Sequence, residues 1–182
     1  MLSLIVAATT EGVIGYRNAL LWHLPSDLKH FRETTLGKVV VMGRNTYQSI
    51  GKPLPKRTNH LISSTIGSQD GLTIFSSVED WLSKNSTLVK SESEDVFICG
   101  GKKIYEDFLP HVTRIYYSNI LVGKQLDEDE YDTKIFSVYD LIDSNQWNVT
   151  SVTAVHDQDS YLLSDKTKPL TYSKFILERK SQ

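Results

Sequence analysis

KVVVMGRNTYQSIGKPLPKRTNHLISS, residues 38–64, reads as strand, short helix, strand. VVVM is a short apolar run without alternation, the pattern of a strand covered on both faces. RNTYQSI opens a helix that Gly51, Pro53 and Pro55 stop, and TNHLISS returns as a second strand. Two buried strands joined through a helix run parallel. Working outward, the same alternation recurs. LSLIVAA is a strand; LTIFSS leads into the helix VEDWLSK; DVFICGG leads into KKIYEDFL, which Pro110 closes; RIYYSNI is another strand. Between them, TTEGVIGYRNALLW carries Gly12, Gly15 and Asn18 and reads as a long loop. Pro25 suits the first turn of a helix that SDLKHFRETT continues to Gly37. GKQLDEDEYDT is polar and acidic, an exposed loop. WNVTSVTAVHD and YSKFILERK form a closing antiparallel pair. The expectation is a single α/β domain over residues 1–182. Its central sheet is mostly parallel, mixed and eight-stranded, with an antiparallel C-terminal strand and about four flanking helices.

The bulk properties exclude several classes. With 40% hydrophobic and 23% charged residues in 182, the chain can bury one core and still hold a cleft. A net charge of −2 and a pI near 6.2 argue against nucleic acid or acidic membranes as partners. Cys99 is the lone cysteine, so there is no internal disulfide, and the five histidines show no metal-ligand spacing. No metal is expected. MLSLIVAATTEG lacks a basic leader and reads as a buried first strand, and no run reaches membrane-spanning length. A cytoplasmic monomer acting on a small molecule is the expectation.

Ligands on parallel sheets sit beyond the carboxyl ends of the strands. Three such ends suit anions. Gly43, Arg44, Asn45 and Thr46 open a helix; Ser63, Ser64 and Thr65 follow a strand; Gly100 and Gly101 precede another helix. Singly each is a turn; together they suggest a dinucleotide, held without a G-x-G-x-x-G or Walker loop. In the segment LLWHLPSDLKHF, helical spacing puts Leu24, Asp27, Leu28 and Phe31 on one face. A capping acid normally faces solvent. Desolvation by Trp22, Leu28 and Phe31 should instead raise the Asp27 pKa, as suits a proton-handling group. Arg57, at the end of a Pro-rich turn, suits a bidentate carboxylate clamp. Cys99 reads as a packing residue.

These residues resemble one family, dihydrofolate reductase. The likeness runs in order through SLIVA, GVIG, WHLPSDLKHF, VVMGRNTYQSIGKPLPKR, LISS, ICGGKKIYEDFLP and FILERK. The resemblance implies NADPH-dependent reduction of dihydrofolate, with antifolates as inhibitors. Asp27 would bind the pterin and support protonation at N5. Trp22 would hold a water beside it, and Ser118 would back the acid. Ile5, Ala7, Leu28, Phe31, Ile50, Leu54 and Cys99 would wall the substrate. Arg57 would clamp the glutamate α-carboxylate, with Lys52 nearby. The NADPH site would take Ala7, Ile14, Gly15, Asn18, Ala19 and Leu20. It would continue through Gly43, Arg44, Asn45, Thr46, Ile62, Ser63, Ser64, Thr65, Ser76, Cys99, Gly100, Gly101, Lys102, Lys103, Ile104 and Tyr105. The Gly100–Gly101 bond would be cis, and Thr10 to Leu21 a mobile lid. Three positions depart from the family pattern. Leu21 replaces a usual Pro, Cys99 a larger apolar residue, and Ser76 a basic one; the first two should loosen the grip on diaminopyrimidine antifolates. A pyrimidine reductase of riboflavin synthesis and a silent folate- or nucleotide-binding protein are the competing readings.

Overall fold

Strand β4 (Val39–Gly43) is buried along nearly its whole length. It pairs in parallel with β5 (Thr58–Ile62) on one side and β7 (Val96–Ile98) on the other. β7 is fully buried and pairs in parallel with β1 (Leu2–Thr9), while β5 pairs in parallel with β6 (Leu72–Phe75). An apolar strand with neighbours on both edges and covered faces needs no polar alternation, which explains VVVM and VFI. Three further strands complete an eight-stranded sheet: β8 (Arg114–Leu121), β10 (Trp147–Asp157) and β12 (Leu170–Arg179). The order is β10-β12-β8-β1-β7-β4-β5-β6, with β10 and β12 antiparallel. The computed structural model describes every residue except Glu92 and Gln182.

Spatial grouping divides the chain into two units. The first comprises Met1–Ile5 and Glu33–Arg114. It holds α2 (Arg44–Ile50), α3 (Val78–Lys84), α4 (Ser86–Lys90) and α5 (Lys102–Phe108). Its core carries an aromatic group in which Trp81 stands edge-on to His60, Phe75 and Phe108. The Trp81 indole N–H donates to His60 Nδ1 at 2.9 Å, satisfying two polar atoms in a buried place.

The second unit comprises Val6–Arg32 and Ile115–Gln182. Helix α1 (Pro25–Thr35) begins in it, as Pro25 foretells. Two elements absent from the sequence reading are paired ribbons. β2 (Val13–Gly15) pairs with β9 (Thr133–Lys134), and β3 (Trp22–His23) with β11 (Tyr161–Leu162). Segments of two or three residues show no periodicity to read. A sixth helix, α6 (Val138–Asp143), starts at a capping box formed by Ser137 and Asp140. The unit's core gathers Val13, Trp22, Leu24, Ile120, Leu126, Leu162, Leu170 and Tyr172. No helix among the described residues is long and apolar enough to cross a membrane.

Candidate active site

In the second unit the acid is set by α1 and β8. Ser118, 4% exposed, donates its hydroxyl to Asp27 Oδ1 at 2.5 Å. Burial pushes the Asp27 carboxyl above its ordinary value. The Ser118 bond and the charges of His30 and Lys174 pull the other way without cancelling it. Trp22 is buried in the core cluster beside Leu24. The expected apolar stripe needs correction, however. Leu24 is buried, but Leu28 is 53% exposed and Phe31 only partly covered. Leu28 is therefore not part of the core, and half of its side chain faces outward.

The start of α1 is also tied down by residues that the sequence reading did not single out. Asp157 Oδ2 accepts the Ser26 N–H at 2.9 Å, and Ser26 Oγ lies 3.0 Å from the Tyr172 hydroxyl. Burial pushes the Asp157 carboxyl up; hydrogen bonds from Ser26 and Asp159 and the nearby His23 more than offset it. A polar residue ending an apolar-alternating strand was the available signal.

The loop Thr10–Leu21 is a paired structure. Ile135 N donates to Gly12 O at 2.8 Å, and a Cβ on Gly12 (φ +82°) would sit 2.2 Å from the Ile135 carbonyl oxygen. Asp132 N donates to Gly15 O at 3.1 Å, while Asp132 Oδ2 accepts the Arg17 N–H at 2.6 Å. The acidic segment is thus more than a solvated loop: its last acid anchors the segment carrying Ile14, Gly15, Asn18, Ala19 and Leu20. At the loop's end, Leu163 N donates to Leu21 O at 2.8 Å, and Leu21 packs on the core cluster. The connection between β10 and β12 thereby supplies a restraint where the sequence lacks the usual Pro. Ala7 packs on the same cluster, and Leu20 is 47% exposed.

In the first unit, the turn after α2 presents Arg57. Its Nε donates to Thr35 Oγ1 at 2.8 Å and its Nη1 to Pro55 O at 2.9 Å, which fixes the guanidinium plane. Buried Asn59 holds that turn: its Oδ1 accepts the Leu54 N–H at 2.8 Å, and its Nδ2 donates to the Leu54 and Arg57 carbonyls at 2.9 and 3.1 Å. Lys52 and Ile50 are exposed, Leu54 half-buried and Ile5 buried.

The anion-suited strand ends lie in the same unit. Gly43 and Gly101 stand at the starts of α2 and α5 with no side-chain cap, so first-turn N–H groups remain for other acceptors. Gly43 N donates to Gly100 O at 2.7 Å, and the Gly100–Gly101 bond is cis as the resemblance implied. A Cβ on Gly43 would stand 2.8 Å from Ile104, and one on Gly100 3.0 Å from the Tyr105 ring. A Cβ on Gly101 would lie 3.3 Å from Thr46 Oγ1. Exposed Arg44 donates to Thr65 Oγ1 at 3.1 Å, and Ser63 Oγ accepts from the N–H groups of Thr65 and Ile66 at 3.2 and 3.1 Å. Ser64 and Asn45 are exposed, and Ile62 ends β5 buried. Ser76 is already engaged: its N–H and hydroxyl bond to Asp80 Oδ2 at 3.0 and 3.2 Å. Lys103 pairs with Asp107 at 2.7 Å, and Lys102 lies 3.9 Å from Glu106. Cys99 donates to Phe97 O at 3.4 Å, and burial pushes its thiol up to about 12, as befits a packing residue.

A family model described as dihydrofolate reductase matches residues 1–168. The chain belongs to the dihydrofolate reductase family. Among its relatives, the dihydrofolate reductase of Bacillus subtilis is 32% identical over 182 residues, covering all of this chain and 96% of that one. The Haemophilus influenzae dihydrofolate reductase is 38% identical over 71% of this chain and 76% of its own length. Dihydrofolate reductase type 3 of Salmonella typhimurium is 40% identical over 72% of this chain and 77% of its own. A solved dihydrofolate reductase from Enterococcus faecalis, complexed with NADP(H) and RAB-propyl, superposes with a TM-score of 0.77 at 27% identity, covering 100% of this chain and 97% of that one. Asp132, Asn59 and Asp157 are the organising residues of this reductase that motif reading passed over. Each acts through backbone groups far away in sequence or in a folded turn, which spacing alone cannot reveal.

Proposed function

We propose that the chain reduces 7,8-dihydrofolate to 5,6,7,8-tetrahydrofolate with NADPH, by hydride transfer to C6 and protonation at N5, and so feeds one-carbon metabolism and thymidylate synthesis. The observation that carries this is the Ser118–Asp27 pair: a carboxyl raised by burial and given one short hydroxyl donor. Such an acid holds its proton more tightly than an exposed carboxyl and faces the pterin amino group and N3 with a hydrogen-bonding edge. Leu28, half-buried Phe31 and Ile50 offer apolar side chains to the pterin and benzoyl rings. Arg57, its plane already oriented, pairs with the α-carboxylate of the glutamate tail, and Lys52 adds charge.

The residues present fit NADPH. Uncapped first turns after Gly43 and Gly101 suit its phosphates, and the bare Gly100–Gly101 backbone admits a close approach that a side chain would fill. Arg44, Ser64 and Thr65 suit the 2′-phosphate, with Ser76, whose hydroxyl donates to Asp80, as the neutral member of the set. When bound, NADPH supplies the hydride. The loop anchored by Asp132 excludes water from the reacting groups. We further propose that the family domain spans residues 1–182 and works as a cytoplasmic monomer. The test is absorbance-monitored NADPH consumption with dihydrofolate, repeated with trimethoprim. Absence of dihydrofolate-dependent turnover would refute the reading. Trimethoprim binding as tight as in a sensitive bacterial reductase would remove only the loosened antifolate grip inferred from Leu21 and Cys99.

A further inference from the structure

Ser118 lines a second space as well. A cavity of about 100 Å³ is walled by His30 of α1, Tyr116 of β8, Ser151 and Thr153 of β10, and Lys174 of β12, with Ser118 among its lining. Tyr117, Phe175 and Ile176 complete a wall that is apolar over most of its surface, while His30, Ser118, Ser151, Thr153 and Lys174 supply polar side chains to it. The volume holds a few waters at about 30 Å³ each. We propose that this cavity is where Asp27 recovers its proton from solvent, and that the ammonium of Lys174 sets how readily it does so. The inference rests on the reading of Asp27 as the proton-handling group.

Once Asp27 has given its proton to the pterin it is a buried anion, which desolvation makes costly. A hydronium in the cavity passes one proton to Ser118 Oγ as the Ser118 O–H proton moves to Asp27 Oδ1. Water, a neutral hydroxyl and a neutral acid remain, so charge and atoms balance. Lys174 opposes this in two ways: its charge disfavours hydronium in the cavity and favours the carboxylate anion. The charges of His30 and Lys174 both act on Asp27 in that direction.

The surrounding groups are accounted for element by element. His30 faces the acid from α1, and its ring lies 6.5 Å from that of Tyr116 on β8. Ser118 is the β8 donor. β12 adds Tyr172, whose phenol is pushed up by burial and by Asp27 and Asp157. β10 adds Asp157, held by Ser26. Lys174 is the ammonium of this set and acts through Asp27, with no role on substrate itself.

The experiment is stopped-flow hydride transfer from NADPH to dihydrofolate across pH, with wild type, Lys174→Met, Lys174→Arg and His30→Gln. Removing the Lys174 charge moves the profile's midpoint about half a pH unit higher, so the rate above the midpoint rises roughly threefold. Lys174→Arg overlays wild type, a rescue that a packing role for the stem would not require. His30→Gln moves the midpoint the same way, to the extent that the imidazole is charged. A Lys174→Met profile that overlays wild type overturns the inference while leaving dihydrofolate reduction intact; absent wild-type turnover instead defeats the parent reading. If Lys174→Met does not fold, Lys174→Gln removes the same charge and is read by the same midpoint.

Discussion

Two aspartates of the second unit show how opposite surroundings give one side chain two functions. Asp27 is pushed above its ordinary value by burial and has a hydroxyl donor. Asp132 lies exposed, and the Arg17 backbone N–H and the Thr133 hydroxyl hold it below the usual carboxylate range. Burial with few donors makes a group that exchanges its proton; backbone donors in solvent make a permanent anion that serves as a strut. The difference lies in the number of N–H groups offered and the water removed, neither of which is a property of aspartate.

The contrast breaks most severely at Asp27. Asp27→Asn should lower hydride transfer at neutral pH by about 10³-fold, within the span of general-acid contributions, with partial recovery in acid, as stopped-flow traces would show. The same substitution should stabilise the fold. A carboxyl raised in the folded state favours folding below its unfolded value, and that contribution is lost as pH rises through the folded value. Asp27→Asn should therefore melt higher than wild type at pH 8, with the gap closing in acid; an equal melting point at both would contradict the raised acid. Next comes the clamp. Arg57→Lys should raise KM for dihydrofolate about tenfold with kcat little changed, because a lysine cannot form the bidentate pair. Asp132→Asn should lower kcat roughly three- to tenfold through a looser loop, leaving the pH midpoint of hydride transfer in place. A shifted midpoint would mean that Asp132 shares the work of Asp27.

The smallest effect concerns His60 in the first unit, held neutral by burial with Trp81 donating to Nδ1. Its folded value lies below its unfolded one. The neutral ring therefore favours folding above the unfolded value near 6.5, and that contribution fades as pH falls toward the folded value. Ring proton shifts in an NMR pH titration should move at lower pH for His60 than for a free imidazole side chain, and a His60 midpoint at or above the free value would refute the assignment.

Much of this was legible in the chain. Runs such as VVVM and VFI announce buried parallel strands, Pro25 announces a helix, and the glycines at 100 and 101 mark a backbone that must stay bare. Arg57 and Asp27 stood out because charge sat where spacing or proline rigidity was unusual. What stayed hidden was long-range. The β2–β9 and β3–β11 ribbons are too short for periodicity, and the roles of Asn59, Asp132 and Asp157 exist only through folded partners. The stripe through Leu28 misled because helical spacing alone does not tell an apolar side chain in the core from one left half outside it.

The β11–β3 ribbon carries a consequence for chain-length variation. Tyr161 and Leu162 stitch onto His23 and Trp22, whereas residues 163–169 beyond them are exposed. Residues added or removed beyond Leu163 leave the stitch intact, while a deletion reaching Leu163 or Leu162 releases the Leu21 carbonyl and unfastens the segment that delivers the tryptophan. Tryptic nicking at Lys166 should accordingly be harmless, and a library of tip lengths should accept insertions freely on one side of a sharp boundary and reject them on the other.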